Sequence, residues 1–178
     1  MWGIDSSWTL FLDRDGVINH RIWDDYVKQT SEFVLLDGVA DSISVFNQLF
    51  YKVLVVTNQQ GVGKGLMTER NLFEIHAYCS ELLLEKNGQI DHYYFAPDLI
   101  NAENNMRKPG SGMALKAKSD FPQIDFTKSI MVGDTDSDIE FGRNLGMKTV
   151  YVSHEGSRND EADLIVDSLV DFKNRLIS

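Results

Sequence analysis

Short apolar runs alternate with helix-like segments along this chain, and that alternation constrains its fold more than any other feature. Runs rich in β-branched and aromatic residues predict buried strands, and apolar residues spaced by three and four predict helices. Strands separated by helices form parallel sheets that are covered on both faces. We therefore expect an α/β fold, a three-layer Rossmann-like parallel sheet. The predicted strands are 8–12, 52–56, 90–96, 128–132, 147–152 and 163–166, and the predicted helices are 39–50, 69–86, 112–119, 139–145 and 168–176.

Length and composition limit the class of protein. A chain of 178 residues is expected to form one domain, 1–178. Cys79 is the only cysteine, which excludes an intrachain disulfide and a cysteine-based zinc site within one chain. No apolar run approaches the roughly 18 residues of a membrane span, and the N-terminus lacks a signal peptide's basic and apolar segments. We expect a cytoplasmic monomer or weak homodimer without a membrane partner, and the net charge of −10 argues against nucleic acid.

Two aspartates separated by one residue follow the first predicted strand. Asp13 and Asp15 are followed by Gly16, which allows a sharp turn. The carboxyl ends of parallel strands form the edge at which ligands bind. Two carboxylates this close repel each other unless a cation lies between them or one carries a proton. Both conditions suit phosphoryl transfer, in which one carboxylate attacks phosphorus and the other handles the proton of the leaving oxygen.

The second predicted strand also ends in polar residues, Thr57-Asn58-Gln59. A threonine hydroxyl and neighbouring backbone N–H groups can hold a phosphate oxygen there. The stretch 61–65 resembles part of a nucleotide-binding loop, but Asn58 stands where that loop needs its first glycine and Gly65 where it needs Ser or Thr. We therefore predict a flexible loop with one basic residue at 61–65.

An acidic cluster and a basic pair complete this edge of the predicted sheet. Residues 134–138 contain three aspartates after the fourth strand, and such acids can cap a helix or bind a hard cation through oxygen. The Arg107-Lys108 pair precedes Pro109-Gly110 at a predicted helix start. His76 and Cys79 lie on one face of a predicted helix, where we expect core packing rather than a metal site.

The polar and aromatic segment 19–33 is predicted to be a loop next to the carboxylates. Loops in this position often contact substrate, which makes Arg21, Trp23 and Tyr26 candidates for that contact.

These motifs together resemble those of the haloacid dehalogenase (HAD) superfamily of phosphatases, whose four motifs match in order over residues 11–138. The segments Phe-Leu-Asp-Arg-Asp-Gly-Val-Ile-Asn, Thr-Asn-Gln-x-Gly and Arg-Lys-Pro resemble the branch that contains histidinol phosphatases and D-glycero-D-manno-heptose 1,7-bisphosphate phosphatases. The resemblance implies an HAD-like fold. Only one loop and one helix fit between Asp13 and Thr57, so we expect no cap domain.

The resemblance implies catalytic and metal-binding roles. Asp13 would be the nucleophile that forms an aspartyl-phosphate, and Asp15 would be the general acid and then the general base. Asp134, together with Asp13 and the carbonyl group of Asp15, would hold Mg²⁺. Asp138 would support this site without binding the ion, and Lys108 would neutralise the charge of phosphate and nucleophile.

The resemblance also implies substrate contacts. Thr57 and Asn58 would bind the transferring phosphoryl group, and Gln59 and Lys108 would also bind the substrate. Arg107 would contact the substrate beyond the reacting phosphate. Many members of this branch carry a zinc-bound loop with cysteine and histidine ligands. Here the matching stretches read Phe-Ala-Pro at 95–97 and Asn-Asn-Met at 104–106, so zinc is predicted to be absent.

The activity implied is that of a Mg²⁺-dependent phosphomonoesterase acting on a small phosphorylated molecule, with a heptose bisphosphate of nucleotide-activated sugar synthesis as the first expectation. Histidinol phosphate is the alternative. A polynucleotide 3′-phosphatase shares the motifs, but the net charge disfavours it. A non-enzymatic phospho-acceptor receiver domain also combines acids, a threonine and a lysine on a parallel sheet, although its first two acids are adjacent rather than spaced by one.

Overall fold

A six-stranded parallel sheet forms the centre of the protein in the computed structural model, which describes residues 2–100 and 106–178. The strand order is β3-β2-β1-β4-β5-β6, and every neighbouring pair is parallel. The expected α/β, Rossmann-like fold is therefore confirmed. The strands are β1 (Thr9–Leu12), β2 (Lys52–Asn58), β3 (His92–Ala96), β4 (Ser129–Gly133), β5 (Lys148–Val152) and β6 (Leu164–Val166).

Helices cover both faces of this sheet. They are α1 (Val39–Leu49), α2 (Gln60–Gly63), α3 (Glu69–Leu84), α4 (Gly112–Asp120), α5 (Asp136–Asn144) and α6 (Leu169–Ile177). Successive side chains of a strand point to opposite faces. Leu10 and Leu12 of β1 accordingly lie in a core with α1, α3 and α6, whereas Phe11 lies in a second core with α4 and α5. The sheet is buried on both faces, so functional side chains are expected at the carboxyl ends of its strands.

Two elements differ from the sequence-based expectations. Residues 60–63 form the one-turn helix α2, so the predicted flexible loop at 61–65 is wrong over its first half. Helix α5 begins at Asp136 rather than at Ile139, because Thr135 and Asp138 form a capping box that places the acids within the first turn. These acids are thus ordered by the helix rather than lying in a loop.

The connection between β1 and β2 contains a loop, a short 3₁₀ turn at Thr30–Glu32 and α1. No cap domain occurs within the described ranges, as expected. Within the same ranges, no helix is both long and apolar enough to span a bilayer. Asn104 and Asn105, which stand where other members of the branch carry zinc ligands, lie outside the described residues.

Candidate active site

A tight turn after β1 presents the two spaced aspartates at the edge of the sheet. The backbone N–H of Asp13 still donates to the carbonyl of Val132 in β4, at 2.9 Å. The chain then turns, so that the carbonyl of Arg14 accepts from Ile18 at 2.8 Å while Gly16 adopts a φ of +89°. A Cβ at Gly16 would lie 2.1 Å from Oδ2 of Asp134, so glycine is required here for close approach as well as for backbone freedom.

Lys108 is the buried cation of this edge, with only 2% of its surface exposed. Its Nζ lies 2.8 Å from Oδ1 of Asp13, 2.6 Å from Oδ1 of Asp138 and 2.7 Å from the carbonyl oxygen of Val56. Burial alone would lower the pKa of Lys108, but the two carboxylates outweigh it and the pKa is raised. Lys108 therefore stays charged and ties the end of β1 to the start of α5.

Asn58 positions Lys108 through the backbone. Its side-chain oxygen accepts the Lys108 N–H at 2.9 Å, and its amide nitrogen donates to the Lys108 carbonyl at 3.2 Å. This pair of hydrogen bonds explains why Asn follows Thr57 at the end of β2. A direct contact between Asn58 and a phosphoryl group stays a prediction.

Asp15 is held by three side chains. Nη2 of Arg14 lies 2.9 Å from both of its carboxylate oxygens, and the amides of Asn19 and Gln59 each donate to it at 2.9 Å. Burial alone would raise the pKa of Asp15, but Arg14 and the two amides outweigh it and the pKa lies below its usual value. Gln59 was expected to bind substrate, and here its amide nitrogen bridges Asp15 and, at 3.0 Å, the hydroxyl of Thr57.

The fully buried Arg14 is a site residue that sequence reasoning missed. Its Nη1 lies 3.4 Å from Nε2 of His76, whose ring stacks on Tyr93 with centroids 4.5 Å apart. Burial lowers the pKa of His76 to about 3, so this imidazole is neutral at neutral pH. His76 and Cys79 are both buried, which confirms their predicted core position. The sequence did contain a signal for this role, because Arg14 lies between two aspartates whose negative charge it can balance.

The carboxylates of Asp13, Asp134 and Asp138 bring oxygen atoms within 4.8 Å of one another. Burial raises the pKa of Asp13 to about 6, with Lys108 opposing the shift, and burial raises the pKa of Asp134 to about 8, with Asp13 adding to it. Burial is the largest cause of both shifts and neighbouring carboxylates add to it, so the two shifts mark a buried cluster of acids.

The donor set fits a hard divalent cation. Oδ2 of Asp134 is buried and has no hydrogen-bond partner among the described residues. Nε2 of His154 lies 3.4 Å from it, but that nitrogen donates to the carbonyl of Gly16 at 2.8 Å. Both oxygens of Asp138 are engaged, one by Lys108 and the other by the Thr135 N–H at 3.0 Å. Asp13 and Asp134 are thus the carboxylates available to a cation, and carboxylate oxygens are the ligands that Mg²⁺ prefers.

A cavity of about 480 Å³ opens in front of these groups. Three candidate residues of the loop 19–33, Arg21, Trp23 and Tyr26, line it as predicted, together with Lys64 and Arg107. Nη2 of Arg21 lies 2.9 Å from Oδ1 of Asp134 and 3.3 Å from the carbonyl oxygen of Asp15. The Arg21–Asp134 pair was not foreseen. Asp24 and Asp25 also line the cavity. The cavity therefore joins a carboxylate cluster to several cationic side chains, which is a combination that a phosphorylated ligand with a metal ion requires.

Comparisons with known proteins identify the family. The family model described as HAD-hydrolase-like matches residues 105–172. The D-glycero-alpha-D-manno-heptose-1,7-bisphosphate 7-phosphatase of Burkholderia mallei is 38% identical over 150 residues, covering 80% of this chain and 78% of the relative. A D-glycero-beta-D-manno-heptose-1,7-bisphosphate 7-phosphatase of Neisseria meningitidis serogroup A is 32% identical over 177 residues and covers 94% of each chain.

A solved structure supports the fold. The D,D-heptose 1,7-bisphosphate phosphatase of B. bronchiseptica, complexed with magnesium and phosphate, has a TM-score of 0.86 and covers 96% of this chain and 98% of that chain at 24% identity. The predicted HAD-like fold and phosphatase class are thereby confirmed, the fold by the structure and the class by the sequence relatives. The chain belongs to the heptose-1,7-bisphosphate 7-phosphatase family of HAD-like hydrolases.

Proposed function

We propose that this protein is a Mg²⁺-dependent phosphatase that removes the 7-phosphate of D-glycero-D-manno-heptose 1,7-bisphosphate through an aspartyl-phosphate on Asp13. The observation that carries the proposal is the buried Asp13–Lys108 ion pair, 2.8 Å long, at the floor of a cavity that also contains Asp15. The substrate in this proposal is inferred from the names of the sequence relatives. The catalytic domain is taken to be 1–178, acting in the cytoplasm as a monomer or weak homodimer without zinc.

Asp13 acts as the nucleophile. Lys108 binds its Oδ1, which leaves Oδ2 to attack phosphorus as the bond to the sugar oxygen breaks. A carboxylate and a phosphate dianion repel each other strongly at bonding distance, so the fixed charge of Lys108 is needed for this approach. Thr57, at the end of the neighbouring strand, contributes a hydroxyl to the phosphoryl oxygens.

Asp15 transfers the protons. Because the pKa of Asp15 is low in the free site, Asp15 must take up a proton when the negative charge of the substrate phosphate arrives beside it. It gives this proton to the sugar oxygen as that oxygen leaves, and the resulting carboxylate then takes one from the water that cleaves the aspartyl-phosphate. Phosphate and the free Asp13 carboxylate are the products of the second step. The hydrogen bonds from the three side chains of Arg14, Asn19 and Gln59 fix Asp15 beside the nucleophile, and one of them must be released when the leaving oxygen takes its place.

Asp13, Asp134 and the carbonyl oxygen of Asp15 would hold Mg²⁺. When bound, this ion neutralises charge on the nucleophile and on the phosphoryl oxygens. Lys108 and Asp138 maintain the position of Asp13 whether or not the ion is present, because their ion pair is buried on both sides.

The test is phosphate release from a panel of substrates in the presence of Mg²⁺. The panel contains both anomers of the heptose bisphosphate, histidinol phosphate and a 3′-phosphorylated oligonucleotide, and ³¹P NMR identifies the phosphate removed. We expect loss of the 7-phosphate from a heptose bisphosphate, abolished in Asp13→Asn and retained in Asp41→Asn on the distant helix α1. Turnover of histidinol phosphate alone would contradict the proposed heptose bisphosphate substrate. Stable phosphorylation of the protein without turnover would contradict the proposed phosphatase activity.

A further inference from the structure

Arg21 contacts two of the groups that would bind the metal ion, the carboxylate of Asp134 and the carbonyl oxygen of Asp15. Its Nη2 lies 2.9 Å from Oδ1 of Asp134 and 3.3 Å from the carbonyl oxygen of Asp15. The side chain of Asp134 is fully buried, whereas that of Arg21 is 25% exposed and enters from the cavity. The guanidinium therefore covers the open side of the cluster.

A cation bound to Asp134 and to the carbonyl oxygen of Asp15 would compete with this guanidinium, which contacts both groups. Mg²⁺ binds oxygen at about 2.0–2.1 Å, so it would lie only a few ångströms from Nη2 in the observed position. Like charges at such a distance repel strongly in a partly buried site. One of the two must leave, and the tethered arginine is the one that can move by side-chain rotation.

We propose that Arg21 neutralises the metal-free site, that Mg²⁺ displaces it, and that the displaced guanidinium binds the phosphate group of the substrate that is not transferred. The first two steps concern the metal site alone. The third rests on the proposed function, because it requires a substrate with two phosphates.

The anchoring of the loop permits this exchange. Asn19 and Val27 are buried and fix its two ends, and the N–H of His20 donates to the carbonyl of Val34 at 2.9 Å. Between these anchors the guanidinium of Arg21 already lies 5.5 Å from the ring centre of Trp23, which lines the cavity. The arginine can therefore turn toward the cavity without breaking the contacts that hold the loop.

The cavity rim offers a destination for an anion. Nζ of Lys64 contacts the hydroxyl of Tyr26 at 3.1 Å, and Arg107 donates at 2.9 and 3.0 Å to the amide oxygen of Gln60, in the amide orientation that satisfies both groups. Both of these partners are uncharged, so neither contact neutralises the positive charge of Lys64 or Arg107. Addition of Arg21 gives three cationic side chains in the cavity lining for a phosphate dianion. Asp24 and Asp25 also belong to this lining, and Asp25 is paired with Lys28.

The first test is metal affinity in the absence of substrate. Titration calorimetry with Mg²⁺, and with Mn²⁺ as a second probe, should show Arg21→Met binding metal about 5–30-fold more tightly than the wild type, which corresponds to about 1–2 kcal/mol. Lys64→Met is the matched control, since it removes a cavity cation that does not contact the metal ligands, and its affinity should change less than twofold. Unchanged affinity in Arg21→Met, or an equal gain in both variants, overturns the displacement.

The second test follows the movement itself. Mg²⁺ should change the fluorescence of Trp23 in the wild type, and the change should be absent from Arg21→Met and from Trp23→Phe, which corrects for Trp2 and Trp8. A metal-induced change that persists in Arg21→Met contradicts movement of this arginine. Neither binding nor fluorescence depends on the identity of the substrate, so both remain decisive if the proposed activity is wrong.

The third test addresses the phosphate. At saturating Mg²⁺, Arg21→Met should raise KM for the heptose 1,7-bisphosphate at least tenfold while KM for heptose 7-phosphate changes less than twofold. Arg21→Lys, which retains the charge but not the planar fork, should recover part of the loss. Equal increases in KM for both substrates exclude a contact with the phosphate that is not transferred.

Discussion

Replacement of Lys108 by methionine tests whether the buried ion cluster is held together as the structure indicates. Lys108 is 2% exposed, and the side chains of its partners Asp13 and Asp138 are 8% and 0% exposed. Removal of one partner from a buried pair leaves uncompensated charge and costs about 3–5 kcal/mol of unfolding free energy. Here two carboxylates lose their cation at once, so we expect the upper part of that range.

A double-mutant cycle isolates the cause. Asp138→Asn removes one of the two orphaned charges, so Lys108→Met and Asp138→Asn combined should cost about 2 kcal/mol less than the sum of the single changes. The deficit of Lys108→Met should also depend on pH. Burial already raises the pKa of Asp13 above its unfolded value. Folding then favours the protonated form of Asp13, so the loss of unfolding free energy caused by Lys108→Met should become smaller as the pH falls from 8 to 5.5.

Urea unfolding in EDTA measures these free energies without metal. Lys116→Met is the control, because Lys116 forms a mostly exposed pair with Asp120 on α4 and should change stability by about 0.5 kcal/mol or less. A cost for Lys108→Met no larger than that of the control, or one that is independent of pH, would refute the reasoning. In activity assays Lys108→Met should lose at least about 10²-fold in kcat, since Asp13, the proposed nucleophile, then lacks its fixed cation.

Three further results are expected. Without metal, the free energy of unfolding should rise by about 2 kcal/mol as the pH falls from 8 to 6. The pKa of Asp134 is about 8 in the folded protein, so stability is lost as the pH rises through that value. Saturating Mg²⁺ should remove this trend in urea titrations. Gly16→Ala should abolish metal binding in calorimetry, since its Cβ meets Asp134, whereas Gly65→Ala, with a similar φ of +71° but nothing within 4 Å, should retain it. Cys79, buried with its pKa raised by burial to about 11, should react with a thiol reagent only after unfolding.

The fold and the residues at the strand ends were predictable because they follow from local patterns. Apolar runs and helical spacing fixed the order of elements, and the rule that parallel strands share one carboxyl edge brought Asp13, Thr57 and Asp134 together. Each of these inferences depends on backbone direction alone. The role of Lys108 came instead from the resemblance to the phosphatase family, because its place before a helix alone favoured an exposed basic pair.

The pairings of the arginines were not predictable in the same way. The contacts of Arg14 and Arg21 depend on how the chain turns at Gly16, which brings the side chain of Arg14 against Asp15 and that of Arg21 against Asp134. Gln59 was assigned to substrate but holds Asp15, since a polar residue at a strand end has several partners within reach. Such choices are decided by tertiary packing rather than by propensity.

The strand order has a consequence for how the chain reaches its folded state. Strand β1 lies between β2 and β4, and Thr9 pairs with Ser129, 120 positions later. During synthesis, one edge of this apolar strand stays unpaired until β4 leaves the ribosome, and closing so long a loop slows assembly. Fragments that end before β4 should expose that edge and aggregate. Because Asp13 and Asp134 lie at the ends of these two strands, the proposed metal ligands come together only when this last central pairing forms.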